Sequence, residues 1–296
     1  MLDRPVVLLV NPAAGGGRAR KAQPAVEAAL RGQGVTLRSE ATRSLDHARE
    51  LAAAAADAGD AVVTLSGDGL IGCVAGVLRG RPDAVLGVLP GGRGNDFVRV
   101  LGLPRDPVEA AAILPRCEAR RLDVGDVDGA TFIGIASLGF DSEANRIANA
   151  SPSFLGPLAY VYGALRGLAA YRPATFTLTL DDGEVLERRA FTVAAANSKA
   201  YGGGMFIAPG AELDDGLLDV VIVGDMTRRH FVGNLPKVFK GTHVTEPEVE
   251  VRRTRTLEIR TDRPFDVYAD GDPIGATPVT ISCVPQAVPV LCPPAA

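Results

Sequence analysis

The chain has 296 residues, of which 47% are hydrophobic and 22% charged, and its formal net charge is −4. This composition excludes a disordered chain, and the length allows one large domain or two. The mild acidity gives no general attraction to nucleic acid, so we expect no nucleic-acid partner. Any contact with an anionic membrane must come from a local basic patch.

Cysteine usage and hydropathy indicate a cytosolic protein. The four cysteines form no CxxC pair and no cluster with histidine, which favours free thiols over a zinc site or disulfides. The N-terminus lacks the basic start and apolar run of a signal peptide. The longest apolar stretch, Phe154–Ala170, is too short and too interrupted to span a bilayer. We therefore expect a soluble, cytoplasmic protein.

Up to about residue 120, short β-branched runs alternate with alanine-rich segments. Buried strands are predicted at Val6–Val10, Val35–Arg38, Ala61–Leu65 and Ala84–Leu89. Helices are predicted at Ala25–Arg31, at Leu45–Ala58 behind a Ser44 cap, and at Ile71–Leu78. Strands that alternate with helices predict a parallel α/β sheet.

After Arg121 the pattern becomes strand-rich. Thr175–Leu180 and Glu187–Ala195 predict a hairpin around Asp182-Gly183. Further strands are expected within Leu217–Val223, Glu248–Ile259 and Pro264–Ser282, and helices at Leu155–Tyr171 and Thr227–Lys240. These segments predict an antiparallel sandwich or open barrel. We divide the chain into residues 1–121 and 122–296, with the tail Ala287–Leu291 as a strand of either domain.

Three glycine-rich loops follow strands of the first half. They are Asn11-Pro12-Ala13-Ala14-Gly15, Ser66-Gly67-Asp68-Gly69 and the segment from Pro90 to Phe97. Ligands of open parallel sheets bind at the carboxyl ends of strands, where glycine lets backbone N–H groups approach phosphate. A single loop of this kind is commonly a turn, but three in one sheet favour a phosphate site. None has the spacing of a P-loop or of GxGxxG.

Asp68 and Asp96 lie in two of these loops. A carboxylate beside a bound phosphate requires a cation between them, and Mg²⁺ is the usual one. Asp96 has an alternative role as the N-cap of a helix that begins at Phe97. Capping is less persuasive for Asp68, which lies between two glycines.

These loops resemble the catalytic family of diacylglycerol kinases, which includes bacterial lipid kinases and the sphingosine and ceramide kinases. The first half carries Ser66-Gly67-Asp68-Gly69 for the family's GGDG, and Leu89–Phe97 for its LPxGTxNDF. The second half carries Asp123–Gly125, Ser137–Asp141, Asn197-Ser198, Leu213–Leu217, and Asp270-Gly271-Asp272 for DGE. Order and spacing match over essentially the whole chain.

The resemblance implies an N-terminal nucleotide domain similar to those of NAD kinase and phosphofructokinase, a C-terminal β-sandwich, and an acceptor site between them. It implies transfer of a phosphoryl group from ATP, with Mg²⁺, to a lipid hydroxyl. Diacylglycerol is the expected acceptor. Carried over, the nucleotide contacts are Asn11, Pro12, Ala13, Ala14, Gly15, Thr42, Ser66, Gly67, Asp68, Gly69, Arg93, Asn95 and Asp96. Catalytic Mg²⁺ is assigned to Asp68 and Asp96, and a structural Mg²⁺ to Asp215 and the carbonyls of Glu212 and Leu217.

The family's base corresponds to Asp272, and either Asp272 or Asp270 is predicted to take the proton of the acceptor hydroxyl, with Asp68 anchoring the metal. By pattern alone, Asp270-Gly271-Asp272 is a hairpin turn.

Four positions depart from the family pattern. Leu70 and Cys73 replace polar residues near the phosphates, Arg93 replaces a threonine with a cation that can bind phosphate, and Asp272 replaces a glutamate. A non-catalytic lipid- or nucleotide-binding homologue, a kinase of a soluble acceptor such as NAD, and a sphingoid or phosphatidylglycerol kinase are therefore alternatives. A homodimer also stays open.

A basic patch is predicted to give peripheral, transient contact with the inner face of the membrane, if its residues share one surface. It comprises Arg228, Arg229, Lys237 and Lys240 in one helix, and Arg252, Arg253 and Arg255 in a strand. A solvated charged surface is the alternative.

Overall fold

The computed structural model describes residues 4–149, 167–168 and 171–294. The predicted helix Leu155–Tyr171 and the apolar stretch Phe154–Ala170 fall almost wholly outside these residues. Within the described part of the chain, every helix is too short or too polar to cross a bilayer.

The first half forms a parallel sheet, which confirms the predicted α/β class. The strands are β1 (Val6–Val10), β2 (Leu37–Ala41), β3 (Ala61–Ser66) and β4 (Leu86–Pro90), and they lie in the order β2-β1-β3-β4. Strands β1, β3 and β4 are buried along their whole length, as expected for parallel strands covered on both faces. The helices are α1 (Ala14–Gly32), α2 (Leu45–Asp57), α3 (Asp68–Leu78), α4 (Asp96–Val100) and α5 (Pro107–Ile113).

Two predicted elements of this half were misplaced. β2 begins at Leu37 rather than Val35. It is a half-exposed edge strand, so its bounds follow from its pairing with β1 and are not evident from hydropathy. α1 begins at Ala14 rather than Ala25. Its first turn contains Gly15 to Gly17, all at positive φ, and Pro24 lies inside it, so local propensity hid the helix. Ser44 caps α2 as predicted, accepting a hydrogen bond from the N–H of His47.

The second half is antiparallel and confirms the predicted sandwich. The predicted hairpin forms around Asp182-Gly183, while Glu248–Ile259 and Pro264–Ser282 each contain more than one strand. The first three strands of this half were not predicted. The elements are β5 (Glu118–Val127), β6 (Ala130–Phe132), β7 (Ile135–Gly139), α6 (Phe140–Asn149), β8 (Ala174–Leu180), β9 (Val185–Ala196), β10 (Leu218–Gly224), α7 (Arg228–Val238), β11 (Val249–Thr254), β12 (Thr256–Thr261), β13 (Asp266–Ala269), β14 (Asp272–Ala276) and β15 (Val279–Cys292).

The last strand, β15, joins the two halves. Its first residues pair with β12, and its later ones pair with β5 and, at Val290, with Leu86 of β4. The segment Ala287–Leu291 therefore lies in this strand, and all its side chains except that of Pro289 belong to the core of the first half. Because one sheet runs through both halves, the cleft between them has a defined geometry.

Candidate active site

The three glycine loops meet at the carboxyl ends of β1, β3 and β4. A methyl group on Gly15 would lie 2.6 Å from the carbonyl oxygen of Gly91, and one on Gly92 would lie 2.5 Å from the Cα of Gly67. Both distances are too short for any side chain, so glycine is required where these loops touch. The structure thus brings together all three loops singled out in the sequence.

The polar side chains of the first loops hold the backbone in place. The Asn11 carboxamide oxygen accepts a hydrogen bond from the N–H of Ala13 at 3.0 Å, and the Thr42 hydroxyl donates to the carbonyl of Val10 at 3.2 Å. The buried Ser66 hydroxyl donates to the carbonyl of Gly67. Pro12 and Ala14 belong to the same turn, which continues into left-handed glycines of the kind that form anion-binding nests. Contacts with a nucleotide would therefore come mainly from loop backbone.

Asp68, and not Asp96, caps α4. The Asp68 carboxylate accepts hydrogen bonds from the N–H groups of Asp96 and Phe97, both at 3.1 Å. Asp96 is the first helical residue, and the side chain of the preceding Asn95 accepts from the N–H of Gly92 instead. The N-cap interpretation of Asp96 was therefore wrong, and the cap comes from a loop 28 residues away, which no local pattern reveals.

Asp96 has partners from both halves of the chain. Its carboxylate forms an ion pair with Arg99 and accepts a hydrogen bond from the N–H of Gly203 at 2.7 Å. Gly203 lies in the run Gly202–Gly204, whose members all have positive φ. Sequence reasoning missed both partners. The i,i+3 spacing of Asp96 and Arg99 and the three consecutive glycines were the available signals.

Asp68 and Asp96 fit a divalent cation. A methyl group on Gly94 would lie 2.9 Å from Oδ2 of Asp96 and 3.6 Å from Oδ2 of Asp68, so both oxygens flank one point. Burial raises the pKa of Asp68, and the charge of Asp96 raises it further. The two backbone N–H donors act in the opposite direction. A hard cation with oxygen ligands would offset this repulsion, which makes the pair suitable for Mg²⁺.

The Asp270-Gly271-Asp272 segment is a hairpin turn whose carboxylates face α3. Asp270 and Gly271 have φ values of 53° and 95°, as in a two-residue turn between β13 and β14. A methyl group on Gly69 would lie 2.6 Å from Oδ2 of Asp272, and one on Gly72 would lie 3.1 Å from Oδ2 of Asp270. The turn interpretation is thus correct, and the same turn places both carboxylates against the glycine face of α3.

The environments of the two carboxylates differ. Asp270 accepts hydrogen bonds from the N–H groups of Ile133 and Gly134, each at 2.9 Å. Burial raises the pKa of Asp270 to about 7, the backbone donors oppose this, and the Asp68 charge adds to it. Asp272 is exposed, and partial burial of its carboxyl raises its pKa as well. Asp270 is therefore fixed by the backbone, and Asp272 is open to a ligand.

Asn197 and Ser198 explain one motif of the second half. Their N–H groups both donate to the carbonyl of Gly134, and the Asn197 carboxamide donates to the carbonyl of Ile133 at 2.9 Å. Asn197 is fully buried. The motif therefore supports the loop that holds Asp270.

Leu70 and Cys73, which depart from the family pattern, both have contacts within the first half. Leu70 is buried in its hydrophobic core, and the Cys73 thiol donates to the carbonyl of Leu45. Burial raises the pKa of the Cys73 thiol. Arg93 is exposed between Gly92 and Gly94, and it makes no side-chain hydrogen bond within the described residues.

The predicted structural metal site already contains a cation. Asp215 accepts a hydrogen bond from the N–H of Leu217 and forms an ion pair with Arg253. Burial raises the pKa of the nearby Asp219, to which the Glu212 charge contributes. The oxygen donors suit Mg²⁺, but a metal would have to displace Arg253 from Asp215. This site stays a prediction.

Comparison with known proteins covers nearly the whole chain. Residues 5–127 match the diacylglycerol kinase catalytic domain, and residues 134–292 match the YegS C-terminal NAD kinase beta sandwich-like domain. The diacylglycerol kinase of Mycobacterium tuberculosis is 36% identical over 97% of this chain and 95% of its own length. A protein of Pseudomonas aeruginosa named "Probable lipid kinase YegS-like" is 34% identical over 97% and 94%.

The fold is also that of a solved structure. A Bacillus anthracis protein described as a candidate diacylglycerol kinase superimposes with a TM-score of 0.84 over 100% of both chains, at 24% identity. At this identity the likeness shows the fold alone.

Proposed function

Because the chain belongs to the family of diacylglycerol kinases and YegS-like lipid kinases, we propose that it transfers the γ-phosphoryl group of ATP to the hydroxyl of diacylglycerol. The observation that carries this proposal is the position of Asp272. Asp272 is exposed, and its carboxylate lies against Gly69, at the start of α3 and beside the glycine loops. A proton acceptor supplied by one half thus faces a phosphate cradle supplied by the other.

The residues divide the work of phosphoryl transfer, which requires positioning and charge neutralisation more than covalent catalysis. The backbones of the three glycine loops bind the phosphates. Asp68 and Asp96 would hold Mg²⁺, which neutralises charge on the transferred group. Asp272 accepts the hydroxyl proton as the new O–P bond forms and ADP leaves. Asp270 keeps the turn and the Asp272 carboxylate in place.

The departures Leu70 and Cys73 do not weigh against catalysis. Their side chains are engaged in the core and at the start of α2, whereas the carboxylates gather on the glycine face of α3. This arrangement favours a catalytic protein over a binding homologue. Arg93, exposed between two loop glycines, is the residue we assign to added phosphate binding.

The test is incubation with radiolabelled ATP and Mg²⁺ against mixed micelles that each contain one acceptor. Diacylglycerol, sphingosine and phosphatidylglycerol form the panel, with NAD in solution as a fourth arm. We expect label in phosphatidic acid. Label in another lipid would show that this lipid, and not diacylglycerol, is the acceptor. Label in NADP would contradict a lipid acceptor, and no label in any arm would refute kinase activity.

A further inference from the structure

Helix α7 exposes a stripe of apolar side chains on its outer side. Three large apolar residues on its surface are well exposed: Val232 at 41%, Leu235 at 37% and Phe239, just beyond the helix end, at 53%. Their spacing of three and four residues places them in one stripe. The inner side is mixed: Phe231 and Val238 pack against the core, and His230 lies 3.4 Å from both Glu246 and Glu248. A helix that rests on a protein core normally has polar residues on its outer side, so the exposed apolar stripe requires an explanation.

Basic residues flank this stripe. Arg228 and Arg229 are the first two residues of the helix. Its first turn contains no acidic residue, and the helix dipole disfavours cations there. Lys240 follows at the other end. Within the described part of the chain, neither Arg229 nor Lys240 forms an ion pair, whereas the half-buried Lys237 pairs with Glu246 at 2.7 Å.

The exposed positions from 228 to 240 therefore contain cations and apolar side chains but no carboxylate. We call this surface the docking face, and it comprises Arg228, Arg229, Val232, Leu235, Phe239 and Lys240.

Two arginines of the predicted patch, Arg252 and Arg253, behave differently. Arg252 pairs with Glu250 at 2.5 Å, and Arg253 pairs with Asp215. The charges of Arg252 and Arg253 are therefore compensated within the protein, whereas Arg255, exposed between β11 and β12, forms no ion pair within the described residues.

We propose that the docking face binds the surface of an anionic membrane. Exposed apolar side chains insert at the boundary of headgroups and acyl chains, and cations beside them attract anionic lipid. A second copy of this chain is a poorer occupant, because a symmetric contact would bring the same cations together. The inference rests on the proposed function, since it names where a lipid kinase meets the membrane that contains its acceptor.

The docking face is connected to the candidate active site. The carbonyl of Val238, at the end of α7, accepts a hydrogen bond from the N–H of Phe206 at 3.0 Å. Phe206 lies two residues after Gly204, in the glycine run whose Gly203 donates to Asp96. On its inner side, Phe231 packs against Phe140 and Phe191, with ring centroids 5.0 and 4.9 Å apart. These contacts join α7 to the glycine run that holds Asp96.

Vesicle sedimentation of the full chain tests the proposal. Vesicles of phosphatidylcholine with phosphatidylglycerol are compared with phosphatidylcholine alone, at low and high salt. We expect Phe239→Ser to weaken binding to the anionic vesicles about tenfold, as loss of one inserted aromatic side chain predicts. Arg229→Gln should weaken it about fivefold, the factor for one basic residue, and only at low salt.

Matched controls and outcomes separate this proposal from the kinase assignment. Val185→Ser and Arg105→Gln change an exposed apolar and an exposed basic residue elsewhere, and should bind as the wild type does. Equal binding by wild type and both docking-face variants would overturn the proposal, as would a loss confined to self-association in sedimentation velocity. Activity on diacylglycerol in detergent micelles should be unchanged in the variants. If no acceptor is phosphorylated but the vesicle results hold, the kinase assignment fails and the docking face stands.

Discussion

A methyl group added at Gly69 perturbs the cleft without removing any functional group. Its Cβ would lie 2.6 Å from Oδ2 of Asp272, whereas ordinary contacts begin near 3.4 Å, so the carboxylate oxygen must retreat by about 0.8 Å. Asp272 is exposed, and its side chain can rotate away. Position 69 is helical, where alanine is preferred over glycine by up to about 1 kcal/mol. Gly69→Ala should therefore leave stability nearly unchanged.

Activity should fall much more than stability. A displacement of about 1 Å in a catalytic group lowers the rate about 10²-fold, which corresponds to about 2.7 kcal/mol in the barrier. If the displaced group is the Asp272 carboxylate, kcat falls and KM for ATP changes little. If the methyl group instead blocks approach of phosphate to the loop, KM for ATP rises.

The assay is steady-state transfer of label from ATP to diacylglycerol in mixed micelles, with thermal unfolding measured alongside. Gly32→Ala is the matched control, because nothing lies within 4 Å of a methyl group there. In a double-mutant cycle, Gly69→Ala should lower kcat little further once Asp272→Asn is present, since both act through one carboxylate. Wild-type kcat in Gly69→Ala, or full additivity in the cycle, would refute this geometry.

Three further predictions concern single groups. Asp68→Asn should nearly abolish turnover, because it removes the charge that would bind Mg²⁺. It should also lower the melting temperature moderately, because one acceptor for the N–H groups at the start of α4 is lost, at a cost of about 1–3 kcal/mol. Ordinary turnover would contradict the metal assignment. Arg93→Ala should raise KM for ATP with kcat and the melting temperature unchanged, and an unchanged KM would remove Arg93 from the nucleotide site. Burial raises the pKa of Asp141 to about 6, against the hydrogen bond from Tyr201. The folded state then keeps a proton that the unfolded state has released, so stability falls as pH rises from about 4 to about 6, by at most about 3 kcal/mol. Urea unfolding across this range should show a steeper fall in stability in wild type than in Asp141→Asn, which keeps the contribution of Asp270, and parallel curves would contradict it.

Hydrophobic pattern and turn chemistry were sufficient for the elements that carry the site. The buried runs of β1, β3 and β4 and the glycine loops after them are readable because strand burial and glycine at strand ends are local signals. The Ser44 cap and the Asp182-Gly183 hairpin were found for the same reason. Edge strand β2 and the glycine-broken start of α1 were misplaced because pairing and packing override propensity there.

The contacts that assemble the site could not be predicted, because they join distant segments. Asp68 caps a helix 28 residues away, and Asp270 is held by N–H groups 136 and 137 residues away. Nothing local to either aspartate indicates these partners. The proposed docking face was only partly anticipated, since basic residues were counted but the exposed apolar stripe of α7 becomes visible only with burial.

The proton acceptor is tested most directly by comparing Asp272→Asn with Asp270→Asn in single-turnover transfer from radiolabelled ATP to diacylglycerol, where chemistry limits the rate. Asp272→Asn keeps the shape of the side chain and removes its basicity. We expect the rate to fall about 10²–10⁴-fold, the contribution typical of a general base, with ATP affinity unchanged. The rate of Asp270→Asn should fall less, because this change disturbs only the hydrogen bonds that support the turn. A near-normal rate in Asp272→Asn beside an inactive Asp270→Asn would exchange their roles, and two active variants would contradict a base in this turn altogether.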